Sequence, residues 1–188
     1  MKQAKTLTPQ EFKQALGQAA QSRHPVRDRA LLMTSHLAGM RVGEIAALRV
    51  GDVLDAEGKV KPEFRLAAHQ TKGNAGRTVF VSERLQKELA VYARTLRSKE
   101  ATAPFFMTQK RTGFSANSLA QHFLVFYKRA GLEGATSHSG RRSFLSNMAA
   151  QGVSVRVLAA LAGHRSIQTT QRYIDVNDNM LRRAVELA

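Results

Sequence analysis

The chain contains no cysteine, which excludes disulfides and thiolate metal sites. It has no run of about eighteen apolar residues, so no segment reads as a membrane-spanning helix. The N-terminus, MKQAKTLTPQ, lacks the apolar core of a signal peptide. Together these absences lead to the expectation of a cytoplasmic protein with no membrane partner. The six histidines do not fall in HExxH or another tight metal-ligand spacing. There is no GxxxxGKS/T phosphate loop, so nucleotide use is not indicated. Ser139 lies between His138 and Gly140, but no GxSxG elbow surrounds it.

Acidic residues are also scarce. Lysine and arginine number 29 against 14 aspartates and glutamates, a formal net charge of +15. The distribution is more telling than the total. Residues 138–174 hold no acid, yet Arg141, Arg142, Arg156, Arg165 and Arg172 all fall there. Residues 101–132 are equally free of acids and carry Lys110, Arg111, Lys128 and Arg129. A field of this kind attracts polyanions. Taken alone it fits a nucleic-acid-binding surface, including RNA binding of the ribosomal kind, or simply a solubilising one.

At 188 residues the chain suits one domain with a sizeable core. Thr8-Pro9-Gln10-Glu11 is a capping box with proline at the first helical position, predicting a helix over 9–21. Pro25 opens a second helix to 37, ended by Gly39, and a short one follows over 42–48. Residues 60–69 and 77–81 read as strands joined by the turn Gly73-Asn74, with a possible short strand at Val53 and Leu54. Ser82 caps a helix with the apolar stripe Leu85, Leu89, Tyr92 and Leu96. Ser115 or Asn117 opens another, with Leu119, Phe123, Phe126, Tyr127 and Ala130 on one face. Helices over 139–151, from Ser154 to Gly163, near 169–174 and near 179–187 complete the pattern. The fold class is mainly α with a small antiparallel β-sheet. In the last helix Leu181, Ala184, Val185 and Ala188 share a face. That face either packs on its own core or docks on a neighbouring molecule.

Four local words carry the chemistry: GMRVGE at 39–44, TKGNAGRT at 71–78, SHSGRRSF at 137–144 and LAGHRSIQTTQRY at 161–173. Within them stand Arg41, Lys72, His138, Arg141, His164 and Tyr173. Two arginines, a lysine and two histidines can surround one phosphodiester with charge and proton donors, and a tyrosine hydroxyl can attack it. Arginine suits the non-bridging oxygens because its planar fork donates two hydrogen bonds and stays charged. His138 and Arg141 lie at i and i+3, on one helical face. Tyr92 and Tyr127 fall on apolar stripes and read as core, whereas Tyr173 is flanked by Arg172 and Ile174 and lies outside every such stripe. Ser166, Gln168, Thr169 and Thr170 add possible phosphate donors, and Arg142 reads as a DNA-backbone contact or a surface charge. Each residue also has a plainer reading. Arg41 fits a tight turn, Lys72 an exposed hairpin, and His164 the cap of a finished helix.

In that order the four words resemble the tyrosine recombinase/phage integrase family, over roughly residues 7–187. The resemblance implies the catalytic-domain fold of that family, and cutting and rejoining of double-stranded DNA through a covalent 3′-phosphotyrosine. It casts Tyr173 as nucleophile, Arg41 and Arg141 as phosphate ligands, and His138 as the acid or base. Lys72 protonates the leaving oxygen, His164 supports the phosphate, and Glu44 orients Arg41 or caps its helix. No metal and no cofactor are implied, because the phosphotyrosine keeps the energy of the phosphodiester. Assembly into a tetrameric synapse on DNA, from a monomer without it, is the implied partnership. The family usually has an apolar residue where Gly140 stands, which predicts a looser helix start, and Leu-Gly-His where this chain reads Leu161-Ala162-Gly163-His164, a departure expected to disrupt nothing. Residues 1–188 are expected to form a single catalytic domain without the additional N-terminal core-binding domain of most members. A DNA-binding protein that keeps the fold without recombining is the alternative.

Overall fold

The computed structural model describes residues 3–71, 75–174 and 178–186. Among these residues, helices dominate and a single two-stranded sheet is formed. Helix α1 (Pro9–Ala20) starts from the capping box read in the sequence: Thr8 Oγ1 accepts the Glu11 N–H at 3.2 Å, and Glu11 Oε2 accepts the Thr8 N–H at 3.0 Å. Helix α2 (Pro25–Leu37) also begins with proline and is the central helix of the core, burying Ala30, Leu31, Leu32 and Met33. A short α3 (Val42–Ala47) follows.

The next stretch departs from expectation. Instead of a strand at Val53 and Leu54, a one-turn helix α4 (Val50–Val53) forms, with Asp52 Oδ2 accepting the Arg49 N–H at 2.8 Å. Only Leu54 keeps a strand-like pairing, with Val60. The strand foreseen over 60–69 is confined to β1 (Glu63–Leu66) and gives way to a 3₁₀ turn at Ala68–Gln70. Gln70 explains the break. Its side chain accepts the Ala67 N–H at 2.8 Å and donates to Ala47 O at 3.1 Å and Asp52 Oδ2 at 2.8 Å, tying the turn to α3 and α4. Strand β2 (Arg77–Phe80) pairs antiparallel with β1, Phe64 opposite Val79 and Leu66 opposite Arg77. The predicted Gly73-Asn74 turn, with Lys72, lies outside the described residues.

Helices α5 (Glu83–Ala93) and α6 (Ala116–Arg129) bury the stripes predicted for them. Tyr92 and Tyr127 are buried with Phe105, Phe106 and Phe123 in the main core, which also takes the inner sheet residues Phe64, Leu66 and Val79. A smaller apolar cluster, Leu145, Ala149, Leu158 and Ala162, joins α7 (Ser139–Ala150) to α8 (Val155–Ala162). Helix α9 (Ile167–Gln171) follows closely, then α10 (Asp178–Val185). In α10 the apolar Leu181 and Val185 are 56% and 73% exposed, so their face does not pack on the core. Among the described residues no helix is long and apolar enough to cross a membrane.

Gly140 stands in the first turn of α7. It lies inside the helix, buried where α7 crosses α2, and a Cβ there would stand 2.3 Å from Ser35 Oγ and 3.1 Å from the Ser35 carbonyl carbon. The backbone cannot yield as a flexible side-chain tip would, so the missing side chain permits the close approach. Although alanine favours a helix by about 1 kcal/mol over glycine, the clash outweighs it here. Gly140→Leu is expected to destabilise the fold by about 1–3 kcal/mol, the usual range for overpacking, measured as a lower midpoint in urea unfolding.

Candidate active site

Helix α8 starts at Ser154, whose Oγ accepts the Val157 N–H at 3.4 Å, and stops at Gly163 in the left-handed conformation (φ +62°). A Cβ on Gly163 would approach Arg77 Cδ to 2.5 Å, so glycine meets both the backbone and the packing demand. The reversal leaves the last carbonyls of α8 available as acceptors, at the end where the helix carries partial negative charge. Guanidiniums take them. Arg77 Nη1 donates to Leu161 O at 2.8 Å, Arg141 Nη2 to Ala162 O at 2.7 Å, and Arg41 Nη1 reaches Ala162 O at 3.4 Å.

One carboxylate completes the group. Glu44, 1% exposed, accepts the Arg41 backbone N–H at 2.9 Å, Arg41 Nη1 at 2.9 Å and Arg77 Nη2 at 2.7 Å. It therefore both caps α3 and orients Arg41, the two roles that the sequence left open. Burial pushes its pKa up, but the Arg77 hydrogen bond and charge, followed by Arg41, hold it below the ordinary glutamate value. Arg141 is 2% exposed and also donates to Gly39 O at 2.6 Å. Burial and the neighbouring Arg41 charge lower its pKa to about 10, which still leaves it charged at neutral pH. Arg41, with 27% of its side chain exposed, opens onto a cleft of about 480 Å³ lined also by Thr71, Arg77, His164, Arg165 and Thr169.

His164 lies between this cluster and Tyr173. Its backbone N–H caps α8 through Ala159 O at 2.9 Å, while its ring does something else. Arg141 Nη2 can only donate, so at 2.8 Å it fixes His164 Nε2 as acceptor, and Nδ1–H then donates to Thr170 Oγ1 at 2.8 Å. Burial, and then the Arg141 and Arg41 charges, lower the His164 pKa to about 4, so the ring is neutral at pH 7. The Tyr173 ring stacks on it with centroids 5.7 Å apart. Thr170 is thereby buried against His164 rather than offered to phosphate. Tyr173 also differs from expectation: half-buried, it packs at the edge of the small apolar cluster. Arg142 is no plain surface charge, since Nε donates to Thr6 Oγ1 at 2.9 Å and the guanidinium lies over the Tyr173 ring.

The structure thus brings Arg41, Glu44, Arg141, His164 and Tyr173 together. His138 caps α7 one turn before Arg141, exposed, with Nδ1 3.4 Å from Ser137 Oγ. Lys72 lies outside the described residues, but the flanking Thr71 and Ala75 both line the cleft, joined by a hydrogen bond from Thr71 Oγ1 to Ala75 O at 2.8 Å. Sequence reasoning missed Arg77, treating it only as a strand start. Its signal was alternation: Arg77 shares a strand face with the buried Val79, so a charged side chain points inward and needs a partner.

A profile of the phage integrase family matches residues 5–180. The chain belongs to the phage integrase family, whose members among its relatives are named tyrosine recombinases. Tyrosine recombinase XerA of Pyrococcus horikoshii is 30% identical over 188 residues, covering 98% of this chain and 61% of the relative. Tyrosine recombinase XerC of Pelobacter propionicus is 28% identical over 153 residues, 81% of this chain and 48% of the relative. The crystal structure of XerA recombinase superposes on 100% of this chain and 66% of its own length, with a TM-score of 0.78 and 25% identity. The chain therefore spans about three fifths of the length of XerA of Pyrococcus horikoshii.

The lowered pKa values of His164 and Glu44 give separate pH windows. The His164 pKa lies below its unfolded value of 6.5, so its contribution to stability is complete above pH 6.5 and is lost as pH falls through about 4. Buried His36, also lowered to about 4, adds to the same window. Glu44 contributes above its ordinary value of 4.5 and is lost only at lower pH. Urea unfolding between pH 8 and pH 4 is expected to show falling stability, with a shallower fall in His164→Gln. An identical fall in the variant would assign the titration to other groups.

Proposed function

We propose that this chain is the catalytic domain of a site-specific DNA recombinase that cleaves and rejoins double-stranded DNA through a 3′-phosphotyrosine at Tyr173. The observation that carries this reading is the joint anchoring of Arg41 and Arg141 on Ala162 O, with Tyr173 stacked on the histidine that Arg141 holds. In this reading Arg41 and Arg141 take the non-bridging oxygens of the scissile phosphate and stabilise the charge that grows on them in the transition state. Tyr173 Oη attacks phosphorus, the bond to the 5′ oxygen breaks, and His138 accepts the phenolic proton. Lys72 supplies a proton to the departing 5′ oxygen. Attack by a 5′-hydroxyl from another strand reverses the step and restores the tyrosine. His164 donates no proton to phosphate at neutral pH; it holds Arg141 and Tyr173 in register.

DNA binding by similar proteins supports the reading: XerH recombinase has been crystallised on its difH substrate, and lambda integrase as a dimer on a core site. Self-association on DNA, up to a tetrameric synapse, is supported by the uncovered apolar face of α10. The alternative, a DNA-binding protein without recombination, makes the same electrostatic sense but leaves the tyrosine without a task.

A nicked duplex that traps the covalent adduct tests the reading. The wild-type chain is expected to form the adduct in EDTA, and Tyr173→Phe to form none while binding DNA normally. Arg41→Ala and Arg141→Ala should each slow cleavage by at least about 10²-fold, the usual loss for one transition-state donor. Tight binding without any adduct would establish the non-catalytic alternative.

The acid role of Lys72 has its own test. Lys72→Ala should cleave ordinary DNA slowly but recover on a 5′-bridging phosphorothiolate, whose sulfur leaves without a proton. Equal defects on both substrates would move the role to another residue, His138 first.

A further inference from the structure

Arg142 follows Arg141 in α7, yet its described contacts lead away from the end of α8. Its guanidinium carbon lies over the Tyr173 ring, 5.7 Å from the centroid, and its Nε donates to Thr6 Oγ1 at 2.9 Å. One turn further along α7, Ser146 Oγ donates to the Tyr173 carbonyl at 2.9 Å. Residues 142 and 146 share a helical face, so one face of α7 holds both the ring and the backbone of Tyr173.

The other end of the contact is equally fixed. Leu7, next to Thr6, is 1% exposed, and its N–H donates to Ser143 Oγ at 2.7 Å. Ser143 in turn donates to Ser139 O at 2.9 Å, while the Lys5 N–H donates to Gly134 O at 3.3 Å. The Thr6 hydroxyl is therefore presented from a segment pinned on both sides. A solvated arginine reaching for DNA would need neither contact.

We propose that Arg142 is a positioning residue for Tyr173: its guanidinium, fixed by Thr6, holds the phenol ring in place, so the segment around Thr6 helps to set the nucleophile. The inference rests on the reading of Tyr173 as nucleophile. A cation is attracted to the electron-rich face of an aromatic ring, and Thr6 fixes where that cation stands. Attack at phosphorus requires the phenolic oxygen in line with the departing oxygen, and a displacement of about 1 Å can cost about 10²-fold in rate.

The test joins single-turnover cleavage of the nicked duplex to a measurement independent of activity. The chain has no tryptophan and three tyrosines, two of them buried in the main core, so the emission difference between wild type and Tyr173→Phe reports Tyr173. Arg142→Gln is expected to slow cleavage about 10-fold, to leave DNA affinity unchanged, and to make Tyr173 more accessible to acrylamide. Arg142→Lys should restore most of the rate, because an ammonium can also sit over the ring. Thr6→Val should shift both readouts the same way, and the double variant should be no worse than Arg142→Gln, since both act through one contact. Unchanged quenching in Arg142→Gln overturns the inference. So does weaker DNA binding at a normal rate, which would make Arg142 a DNA contact. A strictly additive double variant would remove Thr6 from the arrangement. If the wild type forms no adduct, the nucleophile assignment fails on its own, while quenching still decides whether Arg142 holds the ring.

Discussion

The C-terminal turn of α8 is the point on which the candidate site depends. Two backbone carbonyls there, Leu161 O and Ala162 O, receive arginines from three distant parts of the chain: Arg41 ahead of α3, Arg77 on β2 and Arg141 in α7. Guanidiniums this close repel one another; burial first, and then the Arg41 charge, lower the pKa of Arg141. Fixed carbonyl dipoles and the single carboxylate of Glu44 offset that repulsion without cancelling it. Three positive groups and one negative leave a surplus of positive charge beside an open cleft, the electrostatic requirement for holding a phosphodiester. Because these dipoles are built into the fold, they need not reorganise when an anion arrives.

Helix α7 links this cluster to the rest of the molecule. Through Gly140 it approaches α2 closely enough to aim Arg141 at Gly39 O. Through Arg142 and Ser146 it reaches Tyr173, and through Ser143 it holds the segment before α1. Adjacent residues on one helix thus address the arginine cluster and the tyrosine, so a shift of α7 moves both. On the proposed reading this gives a physical reason for carrying both on one helix: groups that are to meet at one phosphate cannot be held by independent loops.

Much of the architecture could be read from local signals. Capping boxes, prolines at helix starts and apolar stripes placed α1, α2, α5 and α6 because those devices act within a few residues of themselves. The region from Val50 to Gln70 resisted. There the side chain of Gln70 binds Ala47 and Asp52, and this long-range tie replaces a strand with a 3₁₀ turn. The site divided in the same manner. Residue types and spacings singled out Arg41, Glu44, Lys72, His138, Arg141, His164 and Tyr173, but they offered Thr170 to phosphate and Arg142 to the DNA backbone or the surface. Thr170 instead lies buried against His164, and Arg142 bonds Thr6 and lies over Tyr173, contacts that no local pattern encodes.

The sequence by itself determined which groups were available and where helices begin, since charge, capping and periodicity are properties of neighbouring residues. It also carried the family, in four short words. Only the tertiary structure decided how those groups are used: that Arg77 shares Glu44 with Arg41, that His164 is neutral and faces Arg141 through Nε2, and that Arg142 lies over Tyr173. These are facts of distance, burial and mutual charge between residues 23 to 33 positions apart, and no local pattern encodes them.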